Sequence, residues 1–283
     1  MCGIIGYSGP KEPLPILIGG LSRLEYRGYD SAGVAILDGE KLTIEKKEGK
    51  LQVLKDHLTN SKINGNIGIG HTRWATHGVP NDVNAHPHSD NQNEFAIIHN
   101  GIIENYAEMK DDLLKEGFVF ESDTDTEVVA VELGNQWTGR LLETVTNVAK
   151  KLDGTYALVV TSTKEPGTIV AGRMMSPLVL GVGEGETFLA SDSAAILEHT
   201  NKMIFLENGD FVEITNGKFK LFDENMNEIS REIQEIDWKV SEAEKSGYDH
   251  FMYKEILEQA EVIERTISGR LEIGSEEIPI DLN

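Results

Sequence analysis

A series of short apolar runs, separated by glycine or proline, most limits the fold that this chain can adopt. Four of these runs follow one another after residue 154: TYALVVTS, GTIVAG, PLVLGVG and ETFLAS. Short apolar segments bounded by turn-forming residues predict β-strands. The next segment, KMIFLENGDFVEITNGKFKLF, holds two Asn-Gly pairs, Asn208-Gly209 and Asn216-Gly217, each flanked by apolar alternation. Asn-Gly in this setting typically forms a tight hairpin, so we expect a three-stranded antiparallel meander at about 202–222.

The first half of the chain mixes strands with helices. Apolar runs predict strands at 2–8, 33–38, 66–71 and 95–99. Helical spacing predicts four helices: PILIGGLSRLEY, NYAEMKDDLLKEG ending at Gly117, DTEVVAVELGNQW and LLETVTNVAKKL. We therefore expect an α+β domain with antiparallel sheets over residues 2–240. The charged, helix-prone remainder, residues 241–283, is expected to be a connector rather than part of the core.

Composition argues against several classes of protein. The chain has 283 residues, with 26 basic and 48 acidic side chains and a formal net charge of −22. Such an acidic chain repels phosphate backbones, so we expect no nucleic-acid partner. It has no apolar stretch of about 18 residues, so we expect no membrane span. A single cysteine cannot form an intramolecular disulfide, which predicts a cytoplasmic protein.

That single cysteine is Cys2, which becomes the N-terminal residue if Met1 is removed. Removal of Met1 is normal before a small residue such as cysteine. A thiol with a pKa near 8.5 needs a base to act as a nucleophile, and an α-amine that titrates at about 8 can take the proton. The alternative is an inert buried thiol at the start of the first strand. The position alone leaves both interpretations open.

The segment HTRWATHG, residues 71–78, follows a predicted strand, and binding sites are often built where strands end. Arg73 can present a permanently charged fork to a carboxylate. Trp74 could cover a reacting group, and Thr76 and His77 add polar groups. The alternative is an ordinary strand end with a surface arginine and a half-buried tryptophan.

Asn100-Gly101 allows two interpretations. It could be a hairpin turn of the kind expected at Asn208 and Asn216. It could instead be an oxyanion hole, in which the Asn100 amide and the Gly101 N–H donate to a developing negative oxygen. The residues alone slightly favour the turn.

The acidic segment SDTDTE offers Ser122, Asp123, Thr124 and Asp125 as N-cap residues for the helix that follows. At least one of them is expected to cap. A second acidic residue is then left to hold a cationic group such as a substrate ammonium.

Five of the eight histidines lie between residues 71 and 99, which raises the question of a metal site. Their spacing matches no specific zinc pattern. We therefore expect structural or supporting roles and no metal.

Together these motifs resemble one family. CGIIGYSG, LEYRGYDSAG, HTRWATHG, NAHPH, HNGIIENY and SDTDTE occur in the order found in the glutaminase domain of glucosamine-6-phosphate synthases, the glutamine–fructose-6-phosphate aminotransferases. The amidotransferase of purine synthesis, a related class II enzyme, typically has His before the arginine and Gln after the glycine of its Arg-Gly motif. This chain has Tyr26 and Tyr29 there, which favours the sugar enzyme.

The resemblance implies a fold, an activity and residue roles. The fold is that of N-terminal-nucleophile hydrolases, with two antiparallel sheets between helical layers. Cys2 would attack the side-chain amide of L-glutamine, with its own α-amine as base, while Asn100 and Gly101 hold the oxyanion. Arg73 would bind the substrate carboxylate and Asp125 its ammonium. Trp74 resembles a lid over the nucleophile, with Thr76 and His77 nearby.

The resemblance also implies partners. In the family, two sugar-phosphate isomerase domains follow the glutaminase domain, bind fructose 6-phosphate and receive the ammonia, and the full enzyme can be a homodimer. The isomerase part is absent from this chain, so we expect it either in a longer form of the chain or as a separate chain, and we expect no cofactor. Two alternatives remain open: the glutaminase domain of a purine-pathway amidotransferase, and a non-catalytic metal-binding module built on the histidines.

Overall fold

Two antiparallel β-sheets dominate the computed structural model, which describes residues 2–59, 61, 63–237 and 251–267. The chain divides into two compact units, Met1–Asp237 and Trp238–Asn283. In the second unit one helix is described, Phe251–Ile267. The predicted boundary between residues 240 and 241 lies outside the described residues and stays a prediction.

The strands of sheet 1 are β1 (Gly3–Ser8), β2 (Ser31–Asp38), β3 (Lys41–Glu48), β4 (Ile67–Arg73), β9 (Val179–Val182), β10 (Thr187–Ala190), β11 (Lys202–Phe205) and β15 (Gln234–Glu235). Their spatial order is β15-β11-β9-β10-β1-β4-β2-β3. The strands of sheet 2 are β5 (His88–Ser89), β6 (Phe95–Ile103), β7 (Gly154–Ser162), β8 (Thr168–Met174), β12 (Phe211–Thr215), β13 (Lys218–Phe222) and β14 (Glu228–Ile229). Their order is β14-β13-β12-β8-β7-β6-β5.

The helices of the first unit cover the outer faces of the sheets. They are α1 (Pro13–Leu24), α2 (Leu51–Leu58), α3 (Tyr106–Glu116), α4 (Asp125–Asn135) and α5 (Leu141–Ala149); the helix of the second unit is α6 (Phe251–Ile267). Helix α1 packs on β1 and β4, whereas α4 and α5 pack on β6 and β8. The layers are therefore helix, sheet, sheet and helix. Among the described residues, no helix is both long enough and apolar enough to cross a bilayer.

Side-chain alternation fixes which residues face the space between the sheets. On β6, Ala96 and Ile98 lie in the inter-sheet core, while Phe95 and Ile97 face α4 and α5. On β4, Ile67 and Ile69 also belong to the inter-sheet core. Because alternate side chains of a strand share a face, later residues of the same parity point the same way.

Of the two hairpins predicted for the meander at about 202–222, one forms and the other does not. Asn216 and Gly217, with φ of 50° and 74°, form the expected hairpin between β12 and β13. Asn208-Gly209 instead lies between β11 of sheet 1 and β12 of sheet 2. The Asn208 side-chain oxygen accepts the Met175 N–H at 2.7 Å, so this pair makes a crossover between sheets rather than a hairpin.

Candidate active site

Cys2 lies directly before β1 and beside the end of β4. The register pairs Gly3 with Thr72, which places Cys2 next to the residues after β4. The Trp74 N–H donates to Cys2 Sγ at 3.1 Å. Burial raises the pKa of the thiol, and the hydrogen bond from the Trp74 backbone opposes that rise. A half-buried thiol of this kind stays protonated at neutral pH and needs a nearby base.

Asn100 and Gly101 are inside strand β6, paired with Ala157 and Tyr156 of β7. The hairpin interpretation of this pair is therefore wrong. The Asn100 Nδ2 donates to the Cys2 carbonyl oxygen at 3.2 Å. Gly101 has φ of +136°, and a Cβ there would lie 1.9 Å from the Thr155 carbonyl oxygen. Only glycine fits this position, which brings the β6 backbone to the pocket wall.

Arg73, the last residue of β4, is 3% exposed. Its Nη2 donates to the carbonyl oxygens of His77 and Gly78, the second at 3.0 Å, and so holds the loop that follows. Its Nη1 is buried, makes no hydrogen bond to any described residue, and lies 3.6 Å from Asp30 Oδ1. The guanidinium therefore keeps donors available for an anion in the pocket.

Trp74 is 54% exposed, although one face of its ring packs against the protein. A Cβ on Gly28, whose φ is +80°, would lie 2.1 Å from Trp74 Cζ3, so the indole rests directly on the Gly28 backbone. Thr76 and His77 follow in the same loop, with His77 Nδ1 and Thr76 Oγ1 3.3 Å apart. The His77 ring meets the Tyr106 ring edge-on at 5.0 Å between centroids.

Asp125 is the first residue of α4 and is 4% exposed. Thr124 caps the helix, because its side chain accepts the Glu127 N–H. This confirms that at least one residue of the acidic segment is a cap. The Ile103 N–H donates to Asp125 Oδ2 at 2.9 Å and fixes the carboxylate next to β6. The start of a helix also favours a negative charge at this point.

One pocket gathers most of the predicted residues. Its lining comprises Cys2, Arg73, Trp74, Thr76, His77, His86, His99, Gly101, Thr124, Asp125 and Thr126. Seven of the eight predicted site residues are in this lining, and the eighth, Asn100, donates a hydrogen bond to the Cys2 carbonyl oxygen. The pocket is thus lined by the Cys2 thiol, the buried Arg73 guanidinium and the buried Asp125 carboxylate.

Four of the five histidines between residues 71 and 99 are buried: His71, His86, His88 and His99. Burial lowers the pKa of His71 to about 3, and it also lowers the pKa of His86, His88 and His99. Their ring nitrogens contact protein atoms: His71 contacts Asn100, His88 contacts Thr124, and His99 contacts Thr126. Within the described part of the chain, no three histidine, cysteine or carboxylate groups converge as metal ligands would.

Sequence reasoning assigned no role to Asp30. Its Oδ2 accepts the Ala75 N–H, so it holds the loop after Arg73 from the other side. The signal that could have found it is its place in LEYRGYDSAG, where an acidic residue directly precedes a buried strand. Reasoning from sequence also missed Thr126 and His99 as pocket residues. Neither could be found without the packing of α4 on β6.

Comparison with known proteins identifies relatives across the whole chain. Residues 56–251 match the model of the family described as glutamine amidotransferase domain. The glutamine–fructose-6-phosphate aminotransferase (isomerizing) of Clostridium tetani is 49% identical over 276 residues, which is 98% of this chain and 45% of that protein. The enzyme of the same name from Aquifex aeolicus is 49% identical over 271 residues, or 96% and 46% of the two chains. The chain thus spans a little under half the length of these relatives.

Solved structures give the same fold. A glutamine phosphoribosylpyrophosphate amidotransferase from B. subtilis matches with a TM-score of 0.70 and 29% identity, covering 80% of this chain and 50% of that one. A structure described as the allosteric regulatory enzyme of purine biosynthesis matches with a TM-score of 0.71 and 28% identity, at the same coverage. These neighbours confirm the predicted N-terminal-nucleophile sandwich. By its sequence match and its fold, the chain belongs to the glutamine amidotransferase domain family.

Proposed function

We propose that this chain hydrolyses L-glutamine to glutamate and ammonia, as the glutaminase part of a glutamine–fructose-6-phosphate aminotransferase. The observation that carries the proposal is the convergence of Cys2, Arg73, Gly101 and Asp125 on one pocket, with Asn100 bonded to Cys2. A thiol, two oxyanion donors and two opposite charges match what glutamine needs at its amide, carboxylate and ammonium.

The reaction proceeds through a thioester. Removal of Met1 frees the α-amine of Cys2, which takes the proton from Sγ as the sulfur attacks the side-chain carbonyl carbon of glutamine. The oxygen becomes an oxyanion that accepts hydrogen bonds from Asn100 Nδ2 and the Gly101 N–H. The protonated amine then gives its proton to the leaving nitrogen, and ammonia departs. Water, deprotonated by the same amine, attacks the thioester and releases glutamate and the thiol.

The two buried charges bind the amino-acid end of the substrate. The α-carboxylate of glutamine accepts from the Arg73 guanidinium, whose Nη1 has no hydrogen bond to a described residue. The α-ammonium donates to the Asp125 carboxylate, which Ile103 and Thr126 hold in place. Both contacts are made in a site largely closed to water, where charge-assisted hydrogen bonds are strong. This chemistry needs no cofactor, since the thiol, the amine and the oxyanion donors supply it.

We propose that the released ammonia is used by a second catalytic part of the enzyme, which lies outside this chain. The relatives are named for the transfer of an amino group to fructose 6-phosphate, and they are about twice as long as this chain. In the proposed full enzyme, ammonia passes to a sugar-phosphate isomerase part that binds fructose 6-phosphate. In this proposal Trp74, which is 54% exposed and lines the same pocket as Cys2, covers the nucleophile and directs the ammonia.

The test is a glutaminase assay on purified protein whose Met1 is confirmed absent. Wild-type protein should release glutamate and ammonia in equal amounts, and Cys2→Ala should release neither. Adding the isomerase part of a relative together with fructose 6-phosphate should redirect the ammonia into amino sugar, whereas phosphoribosylpyrophosphate should not accept it. Full activity in Cys2→Ala, or none in correctly processed wild type, would overturn the proposal.

A further inference from the structure

We propose that His71 is a positioning residue, which fixes the side-chain amide of Asn100 so that its nitrogen faces the reacting oxygen. The inference rests on the proposed glutaminase function, because it assigns His71 a role in that reaction. His71 does not line the pocket and touches no substrate position; it acts through Asn100.

The strand register brings these two residues together. His71 has the same parity on β4 as Ile67 and Ile69, and Asn100 has the same parity on β6 as Ile98, so both face the space between the sheets. There the His71 Nε2 lies 3.0 Å from the Asn100 Oδ1, with both side chains buried. This contact crosses from one sheet to the other at the edge of the apolar core.

The hydrogen-bond partners determine how the side-chain amide of Asn100 and the ring of His71 are oriented. The Cys2 carbonyl oxygen can only accept, so the Asn100 group 3.2 Å away must be the nitrogen, Nδ2. The Asn100 oxygen therefore faces His71, and His71 Nε2 must carry a hydrogen. The His86 Nδ1 lies 3.1 Å from His71 Nδ1 and 3.3 Å from His71 Nε2, so the two buried imidazole rings are in direct contact. One backbone carbonyl thus sets the tautomer of His71 through the side chain of Asn100.

Burial keeps this arrangement in a single protonation state. His71 is fully buried, and desolvation lowers its pKa to about 3. His71 therefore remains a neutral donor to Asn100 across the physiological pH range.

His71 is the better-anchored of the two groups that hold Asn100. Its backbone lies in the middle of sheet 1, paired with Ile4 on one side and Gly33 on the other. Cys2, the second partner, precedes the first strand. Asn100 Nδ2 has two hydrogens: one goes to the Cys2 carbonyl, and the other is left for the oxyanion. Without His71, the buried Asn100 oxygen loses its hydrogen-bond partner. Leaving this oxygen unpaired costs free energy, which favours rotation of the amide away from the reacting oxygen.

A double-mutant cycle tests the inference. His71→Phe should lower kcat by about 10- to 100-fold and leave the KM for glutamine within about threefold, because the substrate contacts remain. In an Asn100→Ala background the same change should lower kcat by less than about threefold. His71→Gln, which can present an amide N–H near the position of Nε2, should recover part of kcat. His199→Phe, a stacked imidazole outside the pocket, is the matched control and should keep wild-type kcat.

Two results would overturn the inference: wild-type kcat in His71→Phe, or effects of His71→Phe and Asn100→Ala that multiply. Urea unfolding shows whether each variant is folded under the assay conditions, and a folded His71→Gln that recovers no activity would also count against the inference. Imidazole ¹⁵N spectra give a readout independent of turnover, and they should show His71 neutral with its hydrogen on Nε2 from pH 6 to 8. The opposite tautomer would contradict the positioning role even in active protein. Absence of turnover in the wild type, with the expected tautomer present, would instead count against the proposed function.

Discussion

Gly101 shows how one residue can join a strand to a reacting group. With its φ of +136°, Gly101 stays in the β6–β7 pairing, and a Cβ added there would lie 1.9 Å from the Thr155 carbonyl oxygen. Asn-Gly is so common in hairpins that the dipeptide alone favoured a turn. The nine-residue strand around it overrides that local preference, because His99 and Ile102, the neighbours of the pair, are themselves paired with β7.

Gly101→Ala should therefore damage both the strand and the site. We expect a loss of about 2–4 kcal/mol in unfolding free energy and a large loss of kcat, because the Cβ clashes with backbone in a strained conformation. Urea unfolding and the glutaminase assay measure the two effects. Gly117→Ala is the control: its φ is +95° but nothing lies within 4 Å of the added Cβ, so it should cost only about 1 kcal/mol. Equal costs at the two positions would refute this explanation.

Arg73→Ala should raise the KM for glutamine by about 10- to 150-fold, corresponding to about 1.5–3 kcal/mol for a charge-assisted hydrogen bond. The side chain also holds the carbonyl oxygens of His77 and Gly78, so kcat should fall as well. Arg73→Lys keeps the charge but loses the fork and should recover only part of the affinity. Steady-state kinetics that show an unchanged KM would remove Arg73 from substrate binding.

At the scale of elements, the start of α4 sets the position of Asp125. Thr124 accepts the Glu127 N–H, and its Oγ1 also lies 3.0 Å from His88 Nε2. Thr124→Ala should lower the unfolding free energy by about 1–2 kcal/mol and raise the KM for glutamine, since the carboxylate beside it loses its support. Thr124→Ser keeps the capping oxygen and should stay near wild type in both measurements. Equal behaviour of Ala and Ser would show that the cap is unimportant.

The sequence predicts elements well where the local signal and the packing agree. Gly117 ends α3 with φ of +95° as expected, and the Asn216-Gly217 hairpin forms as expected. Strand β3, residues Lys41–Glu48, was not predicted, because it lies at a sheet edge and its half-exposed charged side chains carry no apolar pattern. Asn208-Gly209 was misread because a crossover between sheets depends on contacts distant in sequence.

In the site, too, the sequence indicates features that depend on local residue chemistry and misses those that depend on contacts distant in sequence. Residue chemistry alone raised Cys2 as a nucleophile beside the inert-thiol alternative, Arg73 as a carboxylate binder, and one unspecified acid of SDTDTE as an ammonium binder; the resemblance then singled out Asp125. The family resemblance added their joint roles, and the pocket brings them together. Asp30 was assigned no role and His71 only a general structural or supporting one, because their specific roles arise from contacts between loops and between sheets.

At the scale of the whole molecule, the imidazoles buried beside the inter-sheet core make stability depend on pH. Burial lowers the pKa of His71, His86, His88 and His99 in the folded state. The unfolded chain binds protons at these residues below about pH 6.5, while the folded chain does not. Folding stability should therefore fall as pH drops below 6.5, by up to about 1.4 kcal/mol per pH unit for each histidine.

Urea unfolding at pH 7.5, 6.5 and 5.5 measures this slope before most carboxylates titrate. His88→Gln should reduce the slope by about a quarter, because one of four buried imidazoles is gone. A stability that stays constant from pH 7.5 to 5.5 would show that the cluster takes up protons while folded.

Cys2 is proposed to be a nucleophile whose own α-amine is the base. The sharpest test is intact-mass spectrometry after treatment with a glutamine analogue that carries an electrophilic carbon at the amide position. We expect one adduct per chain in protein lacking Met1, and none in Cys2→Ala or in protein that retains Met1. Excess glutamine should prevent the adduct. If correctly processed protein gains no adduct, or if Met1-bearing protein reacts equally fast, Cys2 does not act with its own α-amine as base.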